Sequence, residues 1–103
     1  MTRRNISWTR QARDDLREIK RFIARQAPKT ASAFIRRIKA SVDRLRDFPE
    51  SGHVVPEVAD PVIREVIKGN YRVIYRVEET RVVVLTVYHG ARLLRDDALG
   101  SDD

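Results

Sequence analysis

Cysteine is absent from this chain, and histidine occurs only at positions 53 and 89. Without cysteine the protein can form neither a disulfide framework nor a thiolate metal site. Two histidines so far apart in sequence do not indicate a zinc centre. The chain also lacks a glycine-rich phosphate loop, a nucleophile elbow and an HExxH motif. The sequence therefore predicts neither a metal nor a cofactor.

Long apolar runs are missing as well. The longest ones span only a few residues, whereas a helix needs about 20 to cross a bilayer. The basic start, Met1–Arg4, is not followed by the apolar core of a signal peptide. At 103 residues the chain is long enough for one modest hydrophobic core. We expect a soluble cytoplasmic protein with one domain over residues 1–95 and an acidic, frayed tail over residues 96–103.

Positive charge is concentrated in the first half of the sequence. Residues 1–47 contain fourteen Lys or Arg and five Asp or Glu, a balance of +9, whereas residues 48–103 contain seven and ten, a balance of −3. A basic half favours an acidic partner, either a nucleic acid or an acidic protein segment. The alternative is that the arginine-rich helix faces are only solvated.

Helical periodicity dominates this basic half. Thr9 can cap a first helix that carries an apolar stripe of Ala12, Leu16, Ile19, Phe22 and Ile23. Pro28 is expected to end it near Gln26-Ala27. A second helix is expected from about Thr30, with a stripe of Ala31, Phe34, Ile35, Ile38, Val42 and Leu45. The short connection predicts an antiparallel helical hairpin.

Strand patterns occupy the second half. A short first strand is indicated at Ile6 and Trp8, residues 49–61 are rich in proline and predict an irregular loop, and three strands follow near residues 62–68, 71–77 and 82–88. The order is β-α-α-β-β-β, which predicts an α+β fold with the helical hairpin packed on a small antiparallel sheet. One core is expected to contain Leu16, Ile19, Phe34, Ile38, Leu45, Val73, Tyr75 and Leu85.

Strand alternation assigns the faces of the middle strand. Tyr71, Val73 and Tyr75 point one way, and Arg72 and Arg76 point the other way. The apolar row is the better surface for the helices, so the two arginines are expected to project from an open face.

Further cations lie on or just beyond these strands, and they form a candidate anion-binding set of Arg64, Lys68, Arg72, Arg76, His89 and Arg92. Guanidinium groups bind phosphates and carboxylates in bidentate fashion. Equally, a cross-strand pair such as Glu65 with Arg72 or Arg76 could simply stabilise the sheet. His89 can perform acid–base chemistry near neutral pH or hydrogen-bond the turn at Gly90.

Residues spread over positions 5 to 95 resemble the RelE/ParE toxins of bacterial type II toxin–antitoxin modules. The resemblance is carried by an ordered set rather than by one motif: Trp8-Thr9, Ala12, Asp15-Leu16, Ile19, Phe22-Ile23, Ala33-Phe34, Ile38, Leu45, Phe48-Pro49, Ser51-Gly52, Arg64, Tyr71-Arg72-Val73-Ile74-Tyr75, Val83-Val84-Leu85 and Val87-Tyr88-His89-Gly90-Ala91-Arg92. The family fold that this resemblance implies agrees with the fold predicted from periodicity.

The resemblance implies two possible activities. RelE-like members cleave mRNA on the ribosome, and Arg72 and Arg92 match two arginines of that nuclease. Its lysines would fall near Ile63 and Glu65, which cannot replace them, and no tyrosine follows Tyr88. ParE-like members inhibit DNA gyrase and lack most of this set.

We therefore favour a ParE-like gyrase inhibitor that forms a hetero-oligomer with an antitoxin through the antitoxin's acidic and apolar C-terminal segment. Its target-contacting residues are expected to be Arg64, Arg72, His89 and Arg92. The alternatives are a ribosome-dependent mRNA endonuclease, with Arg72, His89 and Arg92 as catalytic candidates, and a diverged binding module without toxicity.

Overall fold

The computed structural model describes residues 3–90. Two helices and five strands follow one another in the order β1 (Asn5–Trp8), α1 (Arg10–Ala24), α2 (Pro28–Asp43), β2 (His53–Val54), β3 (Ile63–Lys68), β4 (Tyr71–Val77) and β5 (Arg81–His89). A short 3-10 turn, Arg44–Arg46, follows α2. The predicted α+β fold and helical hairpin are confirmed. The predicted tail over residues 96–103 lies outside the described residues.

Thr9 begins α1 as the sequence predicts. Its hydroxyl oxygen accepts a hydrogen bond from the Ala12 N–H at 3.0 Å and donates one to the carbonyl of Leu85 at 2.8 Å. The first bond satisfies a free N–H of the first helical turn. The second joins the start of the helix to β5. This buried threonine therefore fixes both where α1 begins and where it lies on the sheet.

Pro28 starts α2 rather than ending α1, which is a correction to the predicted boundary. Helix α1 ends at Ala24, and α2 begins at Pro28, two residues before the predicted start at Thr30. Proline is well suited to the first helical position, because the N–H that it lacks would have no intrahelical acceptor there.

The strands form one five-stranded sheet in the order β1-β5-β4-β3-β2. Strands β2 to β5 pair antiparallel, whereas β1 pairs parallel with β5, Asn5 lying opposite Arg81. The sheet is therefore mixed rather than wholly antiparallel. The predicted irregular loop contributes the two-residue strand β2, which the sequence pattern did not reveal.

The helices cover one face of the sheet. Side chains from both helices pack there with three residues of β4 and β5, in a cluster of Ala12, Leu16, Ile19, Ile35, Ile38, Val42, Val73, Val84 and Val87. Leu45 and Tyr75 extend this layer beside Val82, and Phe34 packs against its edge. Most of the predicted core is therefore on the helical side.

Leu85 is on the opposite face, contrary to the single predicted core. It packs there with Val55, Ile63, Ile74 and Val83. The register between β4 and β5 shifts at Ile74/Tyr75, and such a bulge re-aims the side chains of the bulged strand. Val55 belongs to this second cluster and Val58 packs against it, so residues 55–62, which we call the covering segment, lie over this face. The sequence predicted that the sheet face away from the helices would be open, but in the structure this face is covered.

Phe22 also differs from the prediction, because 64% of the residue is exposed. The stripe that faces the sheet narrows to Ala12, Leu16 and Ile19, with Ile23 packed at its margin. Among residues 3–90, no helix is long and apolar enough to cross a membrane.

Replacing Ile38 by Ala should lower the free energy of unfolding by about 2–5 kcal/mol, because Ile38 is completely buried between the helices and the sheet. Urea unfolding followed by circular dichroism measures this loss. Arg36→Ala, two positions earlier on the exposed side of α2, should change the midpoint very little. Equal effects of the two substitutions would contradict this assignment of the core.

Candidate target-binding surface

The cations predicted to converge lie on both faces of the sheet. Alternation from Val66 and Val73, which pack with the helical layer, places Arg64, Lys68 and His89 on the helical side. Arg72 and Arg76 are on the other side, where Ile74 packs with Val83. Arg92 lies outside the described residues. The structure therefore does not bring the described cations together into one anion-binding surface.

Arg72 is only 9% exposed and is held by two carboxylates. Its Nε donates to Oε1 of Glu65 at 2.5 Å, and its two terminal nitrogens donate to the two oxygens of Glu57 at 2.7 and 2.8 Å. The contact with Glu57 is the paired geometry in which a guanidinium binds a carboxylate most strongly. Two negative charges thus surround one positive charge, and the arginine is already neutralised.

The pKa values reflect this ion cluster. Hydrogen bonding from Arg72 lowers the pKa of Glu57 from 4.5 to about 2, against the smaller opposing effect of desolvation. The pKa of Arg72 is raised, first by its hydrogen bonds to Glu57. Glu57 is therefore ionised at neutral pH, where its negative charge pairs with Arg72.

The covering segment carries Glu57 to this position. Val55 is buried, and its N–H donates to the carbonyl of Ile63 at 3.0 Å. The Val55 carbonyl accepts from Val58 and Ala59, which closes a single tight turn. Ala59 has a φ of 55°, a left-handed conformation that costs a residue other than glycine about 1–2 kcal/mol. The surrounding contacts hold the turn in this conformation.

Arg64 stabilises the neighbouring loop. Its Nε donates to the carbonyl of Pro61 at 2.9 Å, and one terminal nitrogen donates to the carbonyl of Gly52 at 2.9 Å. The hydroxyl of Tyr75 supports the same loop, donating to the carbonyl of Pro49 and accepting from the Gly52 N–H. A Cβ atom on Gly52 would lie 2.5 Å from that hydroxyl oxygen, so only glycine fits there.

The turn between β4 and β5 is held by another ion cluster. Arg76 and Arg81 both donate to Glu78, at 2.8 and 2.6 Å. These hydrogen bonds, that of Arg81 first, lower the pKa of Glu78. The cross-strand pair of Glu65 with Arg72, which the sequence offered as an alternative to anion binding, is present. Arg76 pairs with Glu78 in the turn instead of with Glu65.

His89 is exposed at the end of β5 and belongs to a row of rings on the helical side. Its ring meets Tyr71 edge-on, with centroids 5.3 Å apart, and Tyr71 lies 5.7 Å from Phe34. The guanidinium carbon of Arg37 lies 5.8 Å from the centroid of Phe34, within range of a cation–π contact. Residues 3–90 contain no group of His, Asp and Glu arranged to hold a metal ion.

Comparison with known proteins gives the family. The protein-family model described as the ParE toxin of the type II toxin–antitoxin system parDE matches residues 6–94 of the sequence. The chain belongs to the ParE toxin family. It is also 32% identical to toxin RelE2 of Caulobacter vibrioides over 89 residues, which are 85% of this chain and 97% of that protein. The suspected membership of the RelE/ParE superfamily is confirmed.

Solved structures show that the fold of this ParE-family toxin is shared. A chain of the chromosomal ParDE toxin–antitoxin system from P. aeruginosa has a TM-score of 0.70 at 21% identity, with coverage of 84% of this chain and 95% of that one. A chain of the RelBE2 toxin–antitoxin complex from Mycobacterium tuberculosis has a TM-score of 0.58 at 24% identity, with coverage of 89% and 97%.

The ion cluster predicts a pH-dependent stability. Because the folded-state pKa of Glu57 is about 2 and its ordinary value is 4.5, the cluster stabilises the ParE-family toxin fully above pH 4.5, and this contribution is lost as the pH falls towards 2. Glu57→Gln should therefore lower the urea midpoint at pH 7 and reduce the drop in midpoint between pH 5 and pH 3.

The matched control is Glu79→Gln, which removes an exposed carboxylate in the turn after β4. This variant should retain the parent's pH profile. A Glu57→Gln profile that runs parallel to that of the parent would show that the ion cluster does not stabilise the fold.

Proposed function

We propose that this ParE-family toxin inhibits DNA gyrase and arrests growth until its antitoxin neutralises it. The proposal follows the ParE side of the family resemblance. One observation favours it over ribosome-dependent mRNA cleavage, namely the state of Arg72, the described residue that resembles an arginine of the RelE nuclease.

Arg72 is poorly placed to bind an RNA phosphate. The covering segment lies over its side of the sheet, and a phosphate would have to displace Glu57. Such an exchange would break a bidentate contact in which Arg72 is largely buried and the side chain of Glu57 is 38% exposed. Glu65, close to where the resemblance expects a nuclease lysine, would repel the phosphate as well. These features support an activity other than RNA cleavage.

The target-contacting residues proposed from the sequence now divide into two groups. Arg64 and Arg72 are occupied by contacts within the chain, so we assign them a structural role in holding the loops before β3. His89 lies exposed at the end of the sheet. We retain His89 and Arg92 as the residues proposed to touch the target.

Induction of the toxin in bacteria tests this function. A gyrase inhibitor should cause DNA breaks and an SOS response before protein synthesis falls, and the purified toxin should inhibit DNA supercoiling. Arg92→Ala should relieve growth arrest, because the loss of a charge-assisted hydrogen bond costs roughly 1.5–3 kcal/mol, a tenfold or greater loss of affinity. Arg36→Ala, on the exposed side of α2, is the matched control and should stay toxic.

Two results would contradict the proposal. Early loss of translation with intact DNA would select the mRNA endonuclease instead. Growth arrest by Arg92→Ala equal to that of the parent, at equal expression, would remove Arg92 from the target contact.

We also propose that an antitoxin with an acidic and apolar segment binds this toxin. A groove of about 810 Å³ between β1 and the two helices supports this partner, with Trp8, Leu16 and Ile35 among its apolar lining. Its charged lining is mainly basic and consists of Arg13, Arg17, Lys20, Lys39, Arg46 and Asp43. Such a groove complements a segment that alternates acidic and apolar side chains.

Reversing the charge of this groove should weaken the antitoxin complex. Within residues 3–90, Lys20 and Lys39 have no carboxylate partner, so the double substitution Lys20→Glu and Lys39→Glu breaks no internal ion pair. Antitoxin affinity, measured by calorimetry with the small protein encoded beside the toxin, should fall at least tenfold and become less sensitive to salt. Lys29→Glu, an exposed position outside the groove, is the control. If that neighbouring protein neither co-purifies with the toxin nor rescues growth, the proposed partner is wrong.

A further inference from the structure

Positive charge in this molecule is concentrated on the two helices. Residues 10–46 contain twelve Lys or Arg and four Asp or Glu, a balance of +8, whereas the other described residues, 3–9 and 47–90, contain seven of each. The four anions are Asp14, Asp15, Glu18 and Asp43. Because three of them lie on α1, the excess of positive charge is larger on α2.

Helix α2 and the turn after it carry this charge with little compensation. Residues 28–46 contain six Lys or Arg and one acidic residue, a balance of +5. That residue, Asp43, already pairs with Arg46 at 2.6 Å. The exposed cations that remain are Lys29, Arg36, Arg37, Lys39 and Arg44. Within residues 3–90, none of these five is paired with a carboxylate.

Helical spacing arranges four of these cations in two rows along the outer face of α2. Each row has two members seven positions apart, Lys29 with Arg36 and Arg37 with Arg44. Seven positions are about two turns, so the members of a row lie about 10 Å apart along the helix axis. Ala33 and Ala40 lie between the rows, on the side of the helix opposite the buried Ile35 and Ile38. The outer face is therefore a strip of small side chains with positive charge on both sides.

This arrangement of charge works against the stability of α2. Lys29 lies in the first turn, where the helix dipole favours anions and where this helix has no acidic residue. Arg36 and Lys39 are like charges three positions apart, which makes them neighbours on the helix surface. The side chains are exposed, so packing does not require them. The fold therefore does not account for these cations, whereas an anionic ligand would.

We propose that the outer face of α2 binds the phosphate backbone of double-stranded DNA. The major groove of B-DNA is about 12 Å wide and admits an α-helix, so the two rows of cations would face the two backbones that border it. None of the four cations in the rows lines the groove assigned to the antitoxin. The face is also separate from the proposed target contact at His89 and Arg92, so the inference does not depend on the proposed function.

The chemistry of this face favours duplex DNA over other polyanions. A protein segment is held mainly by aromatic and apolar anchors at the centre of its interface, but the centre of this face is alanine. A single strand needs open rings on which its bases can stack. Phe34, the aromatic residue of α2, packs at the edge of the core, and Arg37 lies over its ring. Duplex RNA has a major groove too deep and narrow for protein side chains to read.

Binding of a short labelled DNA duplex to the full-length toxin, measured by fluorescence anisotropy over a range of salt concentrations, tests the proposal. Each phosphate contact contributes about −0.9 to the slope of log K against log salt, so four cations predict a slope of about −4. The combined substitution Arg36→Gln, Arg37→Gln and Arg44→Gln should reduce this slope to about −1. The affinity at low salt should fall at least tenfold.

The matched control replaces three exposed arginines of α1 and its end by glutamine: Arg10→Gln, Arg21→Gln and Arg25→Gln. This variant loses the same charge from the same side of the molecule, and its slope should stay within about one unit of the parent's. Thermal unfolding checks that both variants are folded, as their exposed positions predict.

A parent slope shallower than about −2 would overturn the proposal. Equal losses in the two triple variants would overturn it as well, because attraction to net charge alone would then explain the binding. So would displacement of the DNA by poly-glutamate at equal charge concentration, which would make acidic protein an equal occupant, or equal affinity for a duplex RNA or a single strand of the same sequence. If the α2 variant does not fold, the slope of the parent and its preference for duplex DNA still decide the outcome.

Discussion

The burial of β5 on both of its faces is the constraint on which the rest of this fold depends. Every side chain from Val82 to Val87 is buried. A strand with two apolar faces needs a layer on each side to remove both from water. The helical hairpin supplies one layer. The chain has no further helix among its described residues, so the covering segment supplies the other.

The sequence predicts those parts of the fold that follow from local periodicity. The stripes of α1 and α2, the cap at Thr9 and the bounds of β4 depend on residues close in sequence, and they agree with the structure except at Phe22. The covering segment depends on contacts between distant residues. Its turn has a left-handed conformation at Ala59, where the sequence has no glycine that would indicate one. The residues around Glu57 also give no indication that its side chain reaches Arg72.

The candidate site was harder to predict than the fold for a related reason. Alternation along β4 correctly separated Arg72 from Val73, but alternation does not say whether a face is covered. The run Val82–Leu85, apolar at successive positions, was the available sign that both faces of the sheet are buried. Phe22 illustrates the converse, because an aromatic residue at helical spacing fits an apolar stripe whether or not the stripe is wide enough to bury it.

The parallel pairing of β1 with β5 joins the two ends of the described chain. Asn5 lies opposite Arg81, and Thr9 bonds to Leu85 across 76 positions of sequence. Contacts of such high sequence separation must pay the entropy of closing a long loop before they stabilise anything, so they form late and slow the folding of small domains. During synthesis β1 and α1 precede β5, the strand that they pack against, and cannot form these contacts until β5 is present. The toxin therefore completes its core only after β5 has been synthesised, and a chain that stops before β5 leaves the helical hairpin without a strand on which it packs.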